Sequence, residues 1–310
     1  MVEKLGFIDK ALEKAKSLPP RKEPAVTAPQ PEGRLEELPP AWEPAPASYP
    51  LPALGEKIDY TITRVVPVDF DFLRRQKIVA GDNHEAVAEE YKLIRTHILH
   101  RTKAENLNTI MITGPRPNEG KTLTAINLAI SLAQEVNQTV LLVDADLRNP
   151  SIHRYLGLPD GPGLVDYLMA GVTIPDLLIH PEGLPKLVVL PGGRPVSEAA
   201  ELISSPLMGE LVKELKNFYP NRYVLFDLPP LLSFADALAF APLVDALVLV
   251  VEMGRTPRED ISNCLELLSK YNVLGSVLNK VAPDEHRHKY YYYRPPSQSF
   301  PKNIFSRWLK

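Results

Sequence analysis

Six apolar runs separated by segments of helical periodicity dominate the hydrophobic pattern between residues 58 and 282. They are TIMIT (109–113), TVLLV (139–143), KLVVL (186–190), RYVLF (222–226), ALVLVV (246–251) and GSVLN (275–279). Two intervening segments, KTLTAINLAISLAQE and PREDISNCLELLSKY, have the spacing of helices. Because unbroken apolar strands need cover on both sides, the pattern predicts an α/β fold: a doubly wound, mostly parallel sheet with helices on both faces. Ligands bind such sheets at the carboxyl ends of the strands.

The segments that flank this body have different patterns. Residues 1–17 place Leu5, Ile8, Leu12 and Ala15 at helical spacing, which predicts a short amphipathic helix. Residues 18–57 are crowded with proline, which removes backbone donors and favours extended geometry, so we expect a disordered linker. In residues 283–310 four consecutive tyrosines stand between charged residues and prolines, which predicts a flexible, exposed tail. The folded domain is therefore expected at 58–282.

Composition narrows the classes of function. A net charge of −3 gives no reason to expect nucleic acid as a partner. The single cysteine, Cys264, lies in a helical pattern and is expected to be a buried structural thiol in a reducing compartment. The most apolar stretch, ALAFAPLVDALVLVVEMG, is interrupted by Asp245, whereas a membrane span needs about 20 uninterrupted apolar residues. The N-terminus lacks the apolar core of a signal peptide, so we expect a cytoplasmic protein.

The segment GPRPNEGKT (114–122) departs by one position from a phosphate-binding loop. Pro115 stands where that pattern has its first glycine, and Gly114 precedes it. The segment follows a predicted strand and opens a helix, so its backbone N–H groups can cradle phosphates, with Lys121 on the terminal ones and Thr122 on Mg²⁺. Proline removes one N–H donor. Because the Gly-Lys-Thr end supplies the donors nearest the β-phosphate, we still predict a nucleotide-binding loop.

Carboxylates follow two other predicted strands. LLVDADLRNP places Asp144 and Asp146 two residues apart, with Arg148 after them, and YVLFDLPP ends its strand with Asp227. Solvated acids at strand ends are the ordinary alternative. Next to a phosphate loop, however, such acids can hold Mg²⁺ or accept a hydroxyl proton. The three features in chain order predict a magnesium-dependent nucleotide site.

These motifs resemble those of a known family. GPRPNEGKT, LLVDADLRNP and VLFDLPP are similar to the three nucleotide motifs of the bacterial tyrosine kinases, which are built on a MinD/ParA-like P-loop fold. LGLPDGPGLVDYL, LPGGRPVSEAAELISSPLM and VLNKV also resemble that family. The resemblance covers about residues 80–282. Within the family, the chain is most similar to the exosortase-associated autokinases of exopolysaccharide loci. The features that carry this similarity are the predicted N-terminal helix, the proline-rich linker and the absence of a predicted membrane span. The resemblance implies a cytoplasmic protein-tyrosine autokinase that uses ATP and Mg²⁺, phosphorylates its own tail, and regulates exopolysaccharide synthesis or export.

The resemblance implies a role for each matching residue. The catalytic residues would be Lys121, Asp144, Asp146 and Arg148. The nucleotide-binding residues would be Gly114, Asn118, Glu119, Gly120, Lys121, Thr122, Leu123 and, at the base, Asn279. The magnesium ligands would be Thr122, Asp144 and Asp227. The acceptors would be Tyr290, Tyr291, Tyr292 and Tyr293, and an oligomerisation motif would comprise Glu89, Lys92 and Arg95.

The partners that the resemblance implies are further copies of this chain, in a homo-oligomer for which a ring is one form, and an activator. The activator would be a membrane protein that controls polysaccharide chain length or co-polymerisation, which would hold the chain at the inner face of the plasma membrane. The oligomerisation motif has Lys92 where the family has arginine. Because the ammonium group of lysine cannot make the bidentate contacts of a planar guanidinium group, we expect the homo-oligomer to be weaker. An ordinary charged helix face is the alternative.

Two other functions remain open. The first is a MinD/ParA-like ATPase switch, in which water accepts the phosphoryl group and the nucleotide state controls partner binding. Arg116 stands at the place of the signature lysine of such ATPases, where it would contact phosphate from a neighbouring subunit or be a solvated surface arginine. The second is a catalytically silent, nucleotide-sensing scaffold, which the substitution at Pro115 favours.

Overall fold

An eight-stranded sheet lies at the centre of this computed structural model, which describes residues 63–79, 86–218 and 221–281. The strands are β1 (Arg64–Pro67), β2 (Thr109–Thr113), β3 (Thr139–Asp144), β4 (Ile179–Glu182), β5 (Leu187–Leu190), β6 (Arg222–Asp227), β7 (Ala246–Glu252) and β8 (Val273–Asn279). Their order is β1-β4-β5-β3-β6-β2-β7-β8, and every neighbouring pair is parallel except β4 and β5. The predicted fold class is confirmed.

Ten α-helices accompany the sheet in the described part of the chain. They are α1 (Phe70–Arg75), α2 (Ala86–Thr102), α3 (Lys121–Ala133), α4 (Ile152–Leu156), α5 (Leu164–Ala170), α6 (Ile174–Leu177), α7 (Ala199–Ile203), α8 (Pro206–Phe218), α9 (Asp236–Phe240) and α10 (Arg258–Leu267). Within these residues, no helix combines the length and apolar character needed to cross a membrane. The helix predicted at 1–17, the linker at 18–57 and the tail at 283–310 lie outside the described residues.

The sheet separates two hydrophobic cores because successive strand side chains point to opposite faces. On β2, Ile110 and Ile112 pack in one core together with α2 and α3. Met111, between them, packs in the other core with α8 and α9. Cys264 of α10 is fully buried in that second core, which confirms the predicted structural thiol. Helices therefore cover both faces, as the unbroken apolar strands predicted.

Two strands have no counterpart among the six predicted runs. β1 is largely exposed at the edge of the sheet, and β4, of sequence IHPE, contains Pro181. Proline lacks the N–H that a strand ladder uses and is uncommon inside strands, so Pro181 weakened the strand signal of β4. These two strands run opposite to the other six.

The strand order brings three carboxyl ends together. β2 and β3 both pair with β6, and the register sets Asp144 of β3 opposite Asp227 of β6. The segment that begins at Gly114 leaves β2 beside them. The sheet therefore places the predicted phosphate loop next to the predicted metal ligands.

Candidate active site

A cleft with a volume of about 1720 Å³ opens at the carboxyl ends of these strands and continues along β8 and α2. Eight of the residues predicted from sequence line it: Asn118, Gly120, Lys121, Thr122, Leu123, Asp146, Arg148 and Asn279. Four other predicted residues are buried and do not line the cleft: Gly114, Glu119, Asp144 and Asp227. The four tyrosines at 290–293 lie outside the described residues.

The glycine at position 114 is required by close packing against β7. A Cβ on Gly114 would lie 2.4 Å from the Val250 carbonyl oxygen and 2.7 Å from Glu119 Oε2, distances that no side chain tolerates. The next residue, Pro115, is buried and uses only its carbonyl, which accepts a hydrogen bond from the Leu232 amide at 3.3 Å. The shift of the first glycine by one position therefore has a structural reason, and proline is compatible with the loop.

Glu119 braces the loop from within. Its buried carboxylate accepts hydrogen bonds from the Arg116 amide at 2.8 Å and from the Thr256 hydroxyl at 2.6 Å. The flanking Asn118 and Gly120 both have positive φ, 65° and 89°, which turns the backbone into α3. The Glu119 carboxylate thus contacts the loop itself and the segment after β7, and its predicted contact with a nucleotide stays a prediction.

The end of β8 clamps the loop from outside. The Asn279 side-chain amide donates to the Glu119 carbonyl at 2.8 Å, and Lys280 Nζ donates to the Asn118 carbonyl at 2.6 Å. A Cβ on Gly120 would lie 2.1 Å from Asn279 Nδ2, so the clamp needs glycine there. A base contact of Asn279 stays a prediction. Lys280 was not singled out from sequence, because a lone lysine after a strand carries no signal.

We expect Glu119→Ala to lower the free energy of unfolding by about 1–3 kcal/mol, because the Arg116 amide and the Thr256 hydroxyl lose a buried partner. The loosened loop should also raise the KM for ATP. Glu119→Gln is the matched control, since its amide can still accept from Arg116 and donate to Thr256. Chemical denaturation and ATP titration measure both effects. Equal losses in the two variants would contradict the bracing role.

Lys121 is held by a carbonyl of the loop, whereas the side chain of Arg116 is held by a helix outside it. Lys121 is buried and its Nζ donates to the Arg116 carbonyl at 3.1 Å. Burial lowers the pKa of Lys121, and the nearby carboxylates, Asp227 first among them, oppose that shift. The Arg116 guanidinium forms an ion pair with Asp260 of α10. Of the two sequence interpretations of Arg116, neither included this contact within the chain.

Asp144 and Asp227 form a buried pair of carboxylates across β3 and β6. Asp144 Oδ2 accepts from the Ser151 and Ile152 amides at 2.8 and 2.9 Å, at the start of α4. Asp144 Oδ1 and both oxygens of Asp227 have no hydrogen-bond partner among the described residues. Burial raises the pKa of Asp144 to about 7. Burial, together with Asp144, also raises the pKa of Asp227 well above its usual value.

This arrangement fits a magnesium ion. Buried carboxylate oxygens without partners are costly unless a cation or proton compensates them. Thr122 is close enough for its hydroxyl to favour the charged form of Asp227. The described residues hold no cluster of three or more His, Cys, Asp or Glu suited to a metal. Mg²⁺ does not require one, because it keeps several waters and binds one or two carboxylates plus phosphate oxygens.

Arg148 is paired with Asp236, not with the two acids that precede it. Its Nε and Nη2 donate to the two carboxylate oxygens of Asp236 at 2.6 and 3.0 Å, a bidentate contact with a buried acid. Asp146 lines the cleft and accepts from the Asn149 amide at 3.1 Å. Asp236 was missed from sequence because an aspartate at a helix start usually marks a cap.

The predicted oligomerisation motif makes contacts within the chain. Glu89 and Lys92 form an ion pair one turn apart on α2, at 2.7 Å. Arg95 pairs with Glu135 at 2.9 Å and donates to the Ser131 carbonyl at 3.0 Å, at the far end of α3. The two Arg95 contacts fasten α2 to the end of α3, whereas the Glu89–Lys92 pair lies within α2. An oligomerisation role for the three residues stays a prediction.

The fold and the site define a nucleotide-binding P-loop protein. Residues 110–294 match the family model CbiA, described as the CobQ/CobB/MinD/ParA nucleotide binding domain. The tyrosine-protein kinase YwqD of Bacillus subtilis (strain 168) is 34% identical over 222 residues, which cover 71% of this chain and 92% of that protein. The chain therefore belongs to the bacterial tyrosine kinases, and the predicted family and enzyme class are confirmed.

Two further proteins extend the comparison. The succinoglycan biosynthesis transport protein ExoP of Rhizobium meliloti (strain 1021) is 33% identical over 219 residues, which cover 69% of this chain but 27% of ExoP. The crystal structure of the chimerical protein CapA2B2 has a TM-score of 0.62 at 28% identity and covers 70% of this chain and 93% of that one. In ExoP the kinase-like region is thus part of a much longer protein.

Proposed function

We propose that this tyrosine kinase transfers the γ-phosphoryl group of ATP to tyrosines 290–293 of its own tail. The observation that carries the proposal is the cleft in which Lys121 and Asp146 face the same space, with the Asp144–Asp227 pair behind them. The chain belongs to a family of tyrosine kinases, and its sequence contains four consecutive tyrosines. The proposal thus takes the phosphate-binding loop, the metal ligands and the acceptor tyrosines from one chain.

The chain's own residues would share the work of phosphoryl transfer. The backbone N–H groups of the loop and Lys121 bind and orient the phosphates. Thr122, Asp144 and Asp227 would hold Mg²⁺, which supplies charge neutralisation at the phosphate oxygens when bound. The phenol oxygen forms a bond to the γ-phosphorus, and the bond to the bridging oxygen of ADP breaks. Asp146 takes the phenol proton, because it lines the cleft together with Lys121 and follows the strand β3 that carries the metal ligand Asp144.

The polysaccharide context also comes from the relatives. Because ExoP is named for succinoglycan transport, we propose that this chain regulates exopolysaccharide synthesis or export through a membrane protein that activates it at the inner face of the membrane. Assembly into a homo-oligomer would use α2. Since Arg95 is already engaged by Glu135, we expect that assembly to be weak. A link to exosortase stays a prediction.

The first test is to incubate the full chain with MgATP and to map phosphate by mass spectrometry, with Lys121→Met as the control. We expect phosphate on residues 290–293 in the wild type and none in the control. Release of inorganic phosphate with unmodified tyrosines would instead establish the ATPase switch. If neither product forms, even with a polysaccharide co-polymerase added, the silent scaffold is the better description.

A further inference from the structure

One exposed aromatic side chain stands at the mouth of the catalytic cleft. Phe234 lies in the loop between β6 and α9, seven residues after Asp227, and is 40% exposed. It lines the cleft together with Pro230, Asp146 and Arg148. A large exposed ring that lines the same cleft as Asp146 is a candidate for contact with a substrate.

The position of Phe234 is fixed relative to the phosphate loop. The Leu231 amide donates to the Gly114 carbonyl at 2.9 Å, and the Leu232 amide donates to the Pro115 carbonyl at 3.3 Å. The Phe234 amide closes a turn on the Pro230 carbonyl at 3.2 Å. The loop that carries the ring is therefore hydrogen-bonded to the loop that would carry the phosphates.

One face of the ring is occupied by a cation. The Arg148 guanidinium lies 4.6 Å from the centroid of Phe234, and Asp236 holds that guanidinium through two hydrogen bonds. The ion pair and the cation–π contact orient the ring and keep Arg148 beside it. The part of the Phe234 ring that remains exposed can pack against a second aromatic group in offset or edge-to-face geometry.

We propose that Phe234 is the platform for the ring of the acceptor tyrosine, with Arg148 and Asp236 as the residues that position it. This inference rests on the proposed function. A tyrosine has an apolar ring and a polar tip, so a platform beside Asp146 would bind the ring and direct the phenol oxygen into the cleft. The assignment adds a contact and no chemical step.

The test uses full-length protein whose four tail tyrosines are alanine, with a peptide of residues 286–296 that keeps one tyrosine as the acceptor. We expect Phe234→Ala to raise the KM for the peptide by about five- to tenfold, the size of a lost aromatic pair, with the KM for ATP unchanged. Leu232→Ala is the matched control: Leu232 is 37% exposed in the same loop but is not among the residues that line the cleft. Phe234→Tyr should retain the wild-type KM, and Phe234→Leu should not.

Several outcomes would overturn the proposal. The first is an unchanged KM for the peptide in Phe234→Ala, and the second is a wild-type KM in Phe234→Leu. The third is an equal rise in the KM for peptide and for ATP. The fourth is a change in sedimentation alone, which would assign Phe234 to a contact between copies of the chain. If the wild type phosphorylates no tyrosine, the proposed function fails, and the platform is judged by equilibrium binding of the same peptide to Lys121→Met protein. The proposal is supported if the one-tyrosine peptide binds more tightly than the all-alanine peptide and Phe234→Ala abolishes the difference. It is overturned if the two peptides bind equally.

Discussion

Lys121→Met is expected to lower kcat/KM for tyrosine phosphorylation by about 10²-fold or more, the size of effect seen when one preorganised charge donor is removed from a transition state. The ammonium group of Lys121 is buried beside Asp227 and Asp146, inside the cleft, where its field is weakly screened. Methionine keeps the length of the side chain and removes the charge. Phosphotyrosine formation and ATP affinity, measured on the same preparation, check the result.

The control is Lys280→Met, which removes a second ammonium group that also donates to a loop carbonyl. Lys280 reaches the Asn118 carbonyl and Glu252 from outside the loop and is partly exposed. An ion pair so placed is worth about 0–1 kcal/mol, so we expect at most about a fivefold effect. If both variants lost activity equally, the loss would come from loop bracing, and the phosphate-binding role of Lys121 would be wrong.

Asp227→Asn is expected to lower activity by about 10²-fold or more and to raise the melting temperature of the metal-free protein. The activity falls because Asp227 is a proposed ligand of Mg²⁺ and asparagine removes its charge. The stability rises because a buried carboxylate, unpartnered among the described residues and beside Asp144, no longer has to be neutralised. For a domain of this size each kcal/mol shifts the melting temperature by about 2–4 °C. Thermal melts and kinase assays on the two proteins measure both effects.

Asp144 and Asp227 together set the direction in which the stability of the protein changes with pH. The pKa of Asp144 is raised to about 7, and that of Asp227 is raised as well, so the folded protein retains protons that the unfolded chain releases above its own, lower pKa values. Without metal, the stability should therefore fall as pH rises from about 4 to 7. Asp227→Asn should flatten this slope, and Mg²⁺ with nucleotide should reduce it in the wild type. A metal-free wild type that gains stability over this range would contradict the assignment.

Asp245→Asn is the control, because we expect it to change the stability in the direction opposite to Asp227→Asn. Burial raises the pKa of Asp245, but hydrogen bonds from Lys216, Thr109 and the Asn108 amide outweigh it and lower the pKa. This acid lies at the start of β7, at the opposite end of the strands from the cleft. Its replacement should lower the stability at neutral pH and leave the KM for ATP unchanged.

The sequence by itself determined the central strands, the helices on both faces of the sheet, and the position of the loop and the acids at the strand ends. Apolar runs of strand length predict strands because each side chain on a buried strand needs apolar neighbours, and that requirement is local in the chain. The loop from Gly114 and the acids Asp144 and Asp227 follow their strands directly. A parallel sheet then brings them to one edge whatever the details of packing.

Only the tertiary structure decided which distant groups meet. The pairing of Arg148 with Asp236, the clamp of Asn279 on the loop and the contact of Arg95 with Glu135 join residues far apart in the chain. The reason that glycine stands at 114 is the carbonyl of Val250 on the neighbouring strand. Such contacts depend on strand order and register, which arise when whole elements pack together, and a local pattern of apolar and polar positions does not contain them.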